Sequence, residues 1–119
     1  NFVDTILKLA QEQKELEVID NQFGKPTYAK DLAKACLQFL ESKNYGIYHL
    51  TNEEITSWYE FSKQILKCAS IRCTIKPVNK FPGQVARRPQ YGILRNTKLP
   101  PLRPWKEALA DYLNSKSQA

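Results

Sequence analysis

The sequence predicts an α/β fold of about three short strands and four helices. Apolar residues recur at helical spacing in four stretches, and short β-branched runs lie between them. A chain of 119 residues, of which 42% are hydrophobic, supplies one modest core. We assign residues 1–119 to one small domain. Because so small a sheet normally continues into a larger neighbour, and because the chain holds no Met even at position 1, we expect a fragment of a longer protein.

The elements in the first half of the chain follow from apolar spacing and turn residues. Helical spacing over residues 2–13 predicts the first helix. β-branched residues predict a strand over 17–20, and turn residues at 21–24 precede a second short extended piece at 26–28. A second helix is predicted to end near Ser42. Its apolar residues are Leu32, Cys36, Leu37 and Leu40.

The second half begins with a predicted strand over residues 47–50. Ser57 and Glu60 match a capping box, which predicts the start of the third helix. A further strand is predicted over 73–78 and is weakened by Pro77, because proline cannot donate to a ladder. The apolar stripe of the third helix consists of Trp58, Phe61, Ile65 and Leu66.

A long loop is predicted between this strand and the final helix. Residues 79–102 hold four prolines, and loops of this length in a compact domain are usually functional or disordered. Pro104 suits the first turn of a helix, where its missing N–H costs nothing. The apolar face of that helix consists of Trp105, Ala108, Leu109, Tyr112 and Leu113. We expect the tail after Asn114 to fray.

Composition narrows the classes of partner. The formal net charge of +6 favours an anionic partner, which is nucleic acid, an acidic surface or a phosphorylated small molecule. The chain carries no recognisable nucleic-acid reader motif, so we predict no nucleic acid partner. No run of 18 apolar residues occurs, which predicts no membrane partner and a cytoplasmic protein. Cys36, Cys68 and Cys73 have no metal-ligand spacing, so we predict reduced structural thiols and no metal.

The sequence offers few candidate residues for catalysis or ligand binding. His49 has no evident Ser or Cys nucleophile in context, so we interpret it as structural. With four glycines and no Gly-x-Gly-x-x-Gly, the chain is predicted to hold no dinucleotide site. The sharpest feature is the pair Arg87 and Arg88, because a planar guanidinium grips phosphate oxygens in a bidentate manner. A solvated basic pair is the alternative interpretation.

Five motifs occur in a specific order along the chain. They are NFVxTIL from Asn1, VIDxQxGxPT from Val18, GIYHL from Gly46, WxxF from Trp58 and ARRP from Ala86. This ordered set closely resembles the dTDP-4-dehydrorhamnose reductases, from residue 1 to about residue 113. The resemblance implies the small C-terminal substrate-binding domain of an extended short-chain dehydrogenase, with the Rossmann domain absent.

The resemblance also implies roles for single residues. NADPH and the catalytic Tyr-x-x-x-Lys belong to the missing N-terminal Rossmann domain, so neither catalytic nor cofactor-binding residues are expected in this fragment. Arg88 matches an arginine that binds the nucleotide diphosphate, and Arg87 is the reserve candidate. Asn1 matches an asparagine that opens the helix facing the substrate. Gln22 and Thr27 match the segment that lines the inter-domain cleft, although Thr27 equally suits a cap for the following helix.

The function that the resemblance implies is NADPH-dependent reduction of dTDP-4-dehydro-L-rhamnose to dTDP-L-rhamnose for surface polysaccharide. The expected partners are the nucleotide-sugar substrate, the missing Rossmann domain and a second copy in a homodimer. The alternative is a non-catalytic binding subunit, because the same fold family resembles the regulatory subunit of methionine adenosyltransferase. The chain departs from the family pattern at Gly92 and Arg95, where family members commonly carry a serine and often an aspartate.

Overall fold

The computed structural model describes residues 1–80 and 83–117, so Pro82 of the predicted loop lies outside the described residues. Within those ranges the α-helices are α1 (Phe2–Glu12), α2 (Ala29–Cys36), α3 (Trp58–Ala69) and α4 (Trp105–Ser117), and a 3-10 helix (Leu37–Phe39) follows α2. The strands are β1 (Glu15–Ile19), β2 (Phe23–Gly24), β3 (Thr56–Ser57) and β4 (Thr74–Val78). The predicted α/β class is confirmed.

The chain divides into two compact units. The first unit comprises residues 1–24 and 56–92 and contains α1, α3 and all of the strands named above. The second unit comprises residues 25–55 and 93–119 and contains α2 and α4. The assignment of residues 1–119 to one substrate-binding domain stays a prediction.

The first unit is built around a parallel strand pair. β1 pairs with β4, with Ile19 opposite Val78 at the end of the ladder, and α3 packs against both strands and against α1. Pro77 is tolerated in β4 because a two-stranded sheet has only edge strands. The buried apolar side chains of this unit are Ile6, Ala10, Leu16, Val18, Ile19, Phe61, Ile65 and Leu66. The apolar spacing in the sequence therefore forms one continuous core.

Side-chain caps fix where the helices of the first unit begin. The Oγ atom of Ser57 accepts a hydrogen bond from the backbone N–H of Glu60 at 3.1 Å, which confirms the predicted start of α3. The Oδ1 atom of Asn1 accepts from the backbone N–H of Asp4 at 2.9 Å and caps α1 in the same way. At its other end α3 stops at Ser70, which adopts the left-handed conformation with φ of 56°.

The second unit is organised by a buried asparagine. Asn52 has no exposed surface. Its Oδ1 atom accepts from the backbone N–H of Tyr28 at 2.7 Å, and its Nδ2 atom donates to Asp31 Oδ2 at 2.8 Å and to the carbonyl of Arg103 at 3.2 Å. The buried apolar side chains of this unit are Trp105, Ala108 and Leu109. Hydrogen bonds to buried polar groups therefore help to stabilise the second unit, whereas apolar packing stabilises the first unit.

Arg103 joins α2 to α4 through two carboxylates. Its Nε and Nη2 atoms donate to the two carboxylate oxygens of Asp31 at 2.8 and 2.9 Å, and Nη2 also donates to Asp111 at 2.8 Å. The hydrogen bonds from Arg103, and then the bond from Asn52, hold the pKa of Asp31 below its usual value of 3.8. The same carboxylates raise the pKa of the Arg103 guanidinium.

The strand predicted over residues 47–50 is wrong. This stretch has no regular secondary structure, and the side chain of Ile47 is 77% exposed. The backbone carbonyl of Ile47 accepts from Nζ of Lys98 at 2.8 Å, and the Tyr48 ring packs against the Phe39 ring at 4.8 Å. β-branched and aromatic residues predicted a strand, but side-chain contacts with a lysine and a phenylalanine replace the backbone ladder that a strand requires.

Two further predictions need correction. The turn predicted over residues 21–24 is wrong in its second half, because Phe23 and Gly24 form β2 and pair antiparallel with β3. The predicted extended piece at 26–28 belongs to no strand, and Tyr28 within it has an extended backbone, as predicted, with φ of −79° and ψ of 121°. The tail after Asn114 does not fray at once, since α4 continues to Ser117. The loop predicted from residue 79 onward holds no helix or regular strand in its described part.

Candidate functional site

A cleft of about 450 Å³ lies in the first unit, where β1 and β4 end. Because the two strands are parallel, the residues that follow them emerge at the same edge of the sheet, which is where open α/β sheets bind ligands. The Nδ2 atom of Asn21, after β1, donates to the backbone carbonyl of Asn79, after β4, at 3.3 Å. This hydrogen bond joins the two segments that form one side of the cleft.

The lining of the cleft is polar and basic. Its amide side chains are Asn21, Gln22, Asn79, Gln84 and Gln90. Its cations are Lys80, Arg87 and Arg88. No carboxylate is found among the described lining residues, and the structure shows no salt bridge to these three cations in residues 1–80 and 83–117. Amide donors beside unpaired cations suit an anion with several oxygen atoms, such as a phosphate group.

The arginines of the cleft differ from Arg103 in their surroundings. Arg87 and Arg88 are exposed, whereas Arg103 is held between two carboxylates. An arginine that is already paired contributes to the fold. An unpaired arginine keeps all of its N–H donors for a ligand.

The structure brings three of the five predicted site residues together. Gln22, Arg87 and Arg88 line the same cleft. Asn1 is exposed at the N-terminus of α1, where it forms the cap described above, and it does not line the cleft. Thr27 lies in the second unit, where its hydroxyl donates to the carbonyl of Lys25 at 3.1 Å. The first residue before α2 is Tyr28, so Thr27 does not cap that helix.

Five polar lining residues were not predicted as site residues by the sequence analysis, namely Asn21, Asn79, Lys80, Gln84 and Gln90. Asn21 follows β1, and Asn79 and Lys80 follow β4. Both strands were predicted, although β1 spans Glu15–Ile19 rather than residues 17–20. Their parallel pairing was not predicted, and only that pairing brings residues 21–22 close to residues 79–80. The rule that ligands bind after parallel strands is the signal that would have pointed to them.

The described part of the chain has few features of a metal, thiol or membrane site. Residues 1–80 and 83–117 contain no group of three or more His, Cys, Asp or Glu side chains placed to hold a metal ion. The three cysteines are free thiols, and Cys36 and Cys68 are exposed rather than buried. Among these residues no helix is long and apolar enough to cross a membrane.

The residues of this chain do not fit a dinucleotide cofactor. A dinucleotide pyrophosphate needs a glycine-rich turn between a strand and a helix. In the part of the chain that the structure describes, β3 runs directly into α3 without a glycine, and the four residues between β2 and α2, residues 25–28, include no glycine.

Residues 1–118 match the family model described as the RmlD substrate binding domain. The chain belongs to this family. The Bacillus subtilis spore coat polysaccharide biosynthesis protein SpsK, a relative of the chain, is 42% identical over 124 residues, which cover the whole chain and 44% of that relative. The dTDP-4-dehydrorhamnose reductase of Escherichia coli K12 is 33% identical over 110 residues, covering 82% of the chain and 37% of that enzyme. The resemblance stated from the five motifs is confirmed.

Solved structures of dTDP-4-dehydrorhamnose reductases share the fold of this RmlD-type domain. The Clostridium acetobutylicum protein has a TM-score of 0.91 and 37% identity, covering 98% of the chain and 44% of the solved protein. The Bacillus anthracis reductase, solved in complex with NADP, has a TM-score of 0.88 and 31% identity, covering 97% of the chain and 42% of that protein. The chain therefore spans less than half the length of the relatives it matches.

Proposed function

We propose that this chain is the nucleotide-sugar binding part of an NADPH-dependent dTDP-4-dehydrorhamnose reductase that serves dTDP-L-rhamnose biosynthesis. The observation that carries the proposal is the cleft at the ends of β1 and β4, which combines five amide side chains with three cations that form no salt bridge among the described residues. A nucleotide diphosphate presents several phosphate oxygens, and this lining offers them cationic and neutral donors together. The reductases that share this fold support the same ligand class.

Arg88 is the residue that we expect to bind the diphosphate most strongly. Its backbone is restricted because Pro89 follows it, which lowers the cost of holding the guanidinium in one place. Arg87 is the reserve candidate, and Gln22 donates to the nucleotide from the opposite segment of the cleft. Asn1 and Thr27 do not line this cleft and stay predictions as substrate contacts.

The rest of the enzyme belongs to the proposal as well. NADPH binding and the catalytic residues are assigned to an N-terminal Rossmann domain, which makes that domain the first partner of this chain. A homodimer and a cytoplasmic location stay predictions. The alternative, a non-catalytic binding subunit, differs in the sequence upstream of this domain. An intact Tyr-x-x-x-Lys there favours the reductase, and its loss favours the binding subunit.

Calorimetric titration with dTDP and with thymidine tests the proposal. We expect dTDP to bind and its affinity to fall as salt is added, whereas thymidine, which lacks phosphates, binds at least 10-fold more weakly, a difference of about 1.4 kcal/mol. NADPH fluorescence should stay unchanged on addition of this chain. Equal affinity for thymidine and dTDP would contradict the proposal that the cleft binds phosphate groups. Micromolar binding of NADPH to this chain would contradict the assignment of NADPH binding to the Rossmann domain.

A further inference from the structure

The loop that carries Arg87 and Arg88 is tied to the strand segment across the cleft. The backbone N–H of Phe23 donates to the carbonyl of Gln90 at 2.7 Å, and the N–H of Gly92 donates to the carbonyl of Phe23 at 3.1 Å. Phe23 and Tyr91 thus form an isolated parallel β-bridge. The bridge fixes the loop two to four residues after Arg88.

Aromatic stacking reinforces this bridge. The rings of Phe23 and Tyr91 are nearly parallel, with 18° between their planes and 5.3 Å between their centroids. Tyr91 is 64% exposed, so its ring removes little apolar surface from water and adds little to the stability of the unit. We call the two backbone hydrogen bonds and the stacked rings of Phe23 and Tyr91 the aromatic clamp.

The aromatic clamp is anchored in the core of the first unit. Phe23 and Gly24 pair antiparallel with Ser57 and Thr56, which are both buried and lead directly into α3. A rigid element therefore holds one side of the clamp, and an irregular loop forms the other side. A side chain at Gly92 would meet Pro89 Cγ at 3.8 Å and the Phe23 carbonyl at 4.0 Å, which is ordinary contact, so the clamp does not depend on a glycine there.

We infer that Tyr91 is a positioning residue for Arg88, and that it acts through its stack on Phe23 rather than through contact with the ligand. This inference rests on the proposed function. Arg88 is exposed and has no carboxylate partner among the described residues, so no ion pair holds its loop. The clamp restricts the loop before a ligand arrives, and a restricted loop loses less conformational entropy on binding.

A double-mutant cycle tests whether Tyr91 acts through Arg88. The dTDP dissociation constant is measured by calorimetry for the wild type, Arg88→Ala, Tyr91→Ala and the double variant. We expect Arg88→Ala to weaken binding by about 10- to 150-fold and Tyr91→Ala by about 3- to 10-fold. In the Arg88→Ala background, Tyr91→Ala should change affinity by less than about 2-fold, because nothing is left to position.

Two further variants distinguish a positioning role of Tyr91 from a general loss of structure. Tyr91→Phe keeps the ring and loses only the 3.5 Å hydrogen bond that Gln90 Nε2 donates to the Tyr91 hydroxyl, so its dTDP affinity should stay within about 2-fold of the wild type. Tyr45→Ala removes a tyrosine that is 88% exposed in the second unit and should leave dTDP affinity unchanged.

Two results would overturn the inference. Additive effects of Arg88→Ala and Tyr91→Ala would show that Tyr91 acts independently of Arg88, and wild-type affinity in Tyr91→Ala would show that Tyr91 does not affect binding. If the wild type fails to bind dTDP, or if Arg88→Ala binds it equally well, the proposed function itself fails and the inference fails with it.

Discussion

The two units of this chain are stabilised by different kinds of interior. Among its described residues, the first unit buries eight apolar side chains from α1, β1 and α3 around a parallel strand pair. The described part of the second unit buries three apolar side chains from α4 and places the fully buried Asn52 at the centre of a hydrogen-bond network. Removing a buried apolar side chain leaves a cavity, whereas removing one member of a polar network leaves buried polar groups without a hydrogen-bond partner.

The same contrast separates the structural arginine from the candidate ligand-binding arginines. Arg103 has carboxylate partners on both sides, and these partners connect α2 with α4. Arg87 and Arg88 line a cleft that shows no carboxylate among its described residues. Removing Arg103 therefore affects stability, and removing Arg88 affects ligand binding.

The largest expected effects come from one core deletion in each unit. Ile65 and Asn52 are both wholly buried. Ile65→Ala should lower the free energy of unfolding by about 2–5 kcal/mol through a cavity. Asn52→Ala should lower it by about 2–4 kcal/mol, because the Tyr28 N–H and the Arg103 carbonyl lose their buried partner. Urea titration followed by tryptophan fluorescence measures both changes.

Each unit contains one tryptophan, so the unfolding of the two units can be followed separately by fluorescence. Trp58 reports on the first unit and Trp105 on the second. Measuring Asn52→Ala in a Trp58→Phe background isolates the signal of the second unit. A loss below about 0.5 kcal/mol for Asn52→Ala, the range of ordinary surface changes, would show that the polar network does not hold that unit together.

The next effect is the pH dependence of the Asp31–Arg103 pair. Because its folded-state pKa is lowered, Asp31 contributes stability that is present above the unfolded pKa of 3.8 and is lost as pH falls through the folded value. Asp31→Asn should therefore lower the free energy of unfolding by about 1–3 kcal/mol at pH 7. The difference between wild type and variant should shrink as pH falls from about 4 to about 2.

A surface ion pair is the matched control for Asp31. Glu60 and Lys63 lie 3.6 Å apart, and their side chains are 58% and 49% exposed. Glu60→Gln should cost no more than about 0.5 kcal/mol, since exposed ion pairs are screened by water and salt. Equal losses in the free energy of unfolding for Asp31→Asn and Glu60→Gln, measured by urea titration at pH 7, would contradict this expectation. They would mean that burial of Asp31 and its hydrogen bond from Asn52 add no stability.

The smallest expected effect is a gain in stability at the end of α3. Ser70 has φ of 56° and ψ of 38°, a conformation that costs a residue with a Cβ atom more than it costs glycine. Ser70→Gly should raise the free energy of unfolding by about 0.5 kcal/mol, because relief of this strain slightly exceeds the extra entropy of an unfolded glycine. Ser115→Gly, inside α4, is the control and should destabilise by about 0.5–1 kcal/mol. A loss at both positions would contradict the left-handed cap.

In the first unit, the elements α1, β1, α3 and β4 were predictable because their residues carry apolar or β-branched patterns, whereas the two-residue strands β2 and β3 were not predicted. The cap at Ser57 and the Pro77 strand also follow from local chemistry. The second unit was harder to predict from the sequence, because nothing in the sequence around its central residue, Asn52, distinguishes it from an exposed asparagine. The candidate site was predicted in part: the loop arginines carry a visible motif, whereas the amides after β1 and β4 depend on a strand pairing between distant residues.

Arg88 is the residue that we propose to bind the diphosphate of a nucleotide in the cleft of the first unit. The most direct measurement is the dTDP affinity of Arg88→Ala beside Arg87→Ala, at fixed ionic strength so that screening is constant. We predict a loss of about 10- to 150-fold for Arg88→Ala and a clearly smaller loss for Arg87→Ala, since a hydrogen bond to a charged group contributes about 1.5–3 kcal/mol. Equal and small losses for the two variants would contradict the claim and would identify the pair as a solvated basic patch.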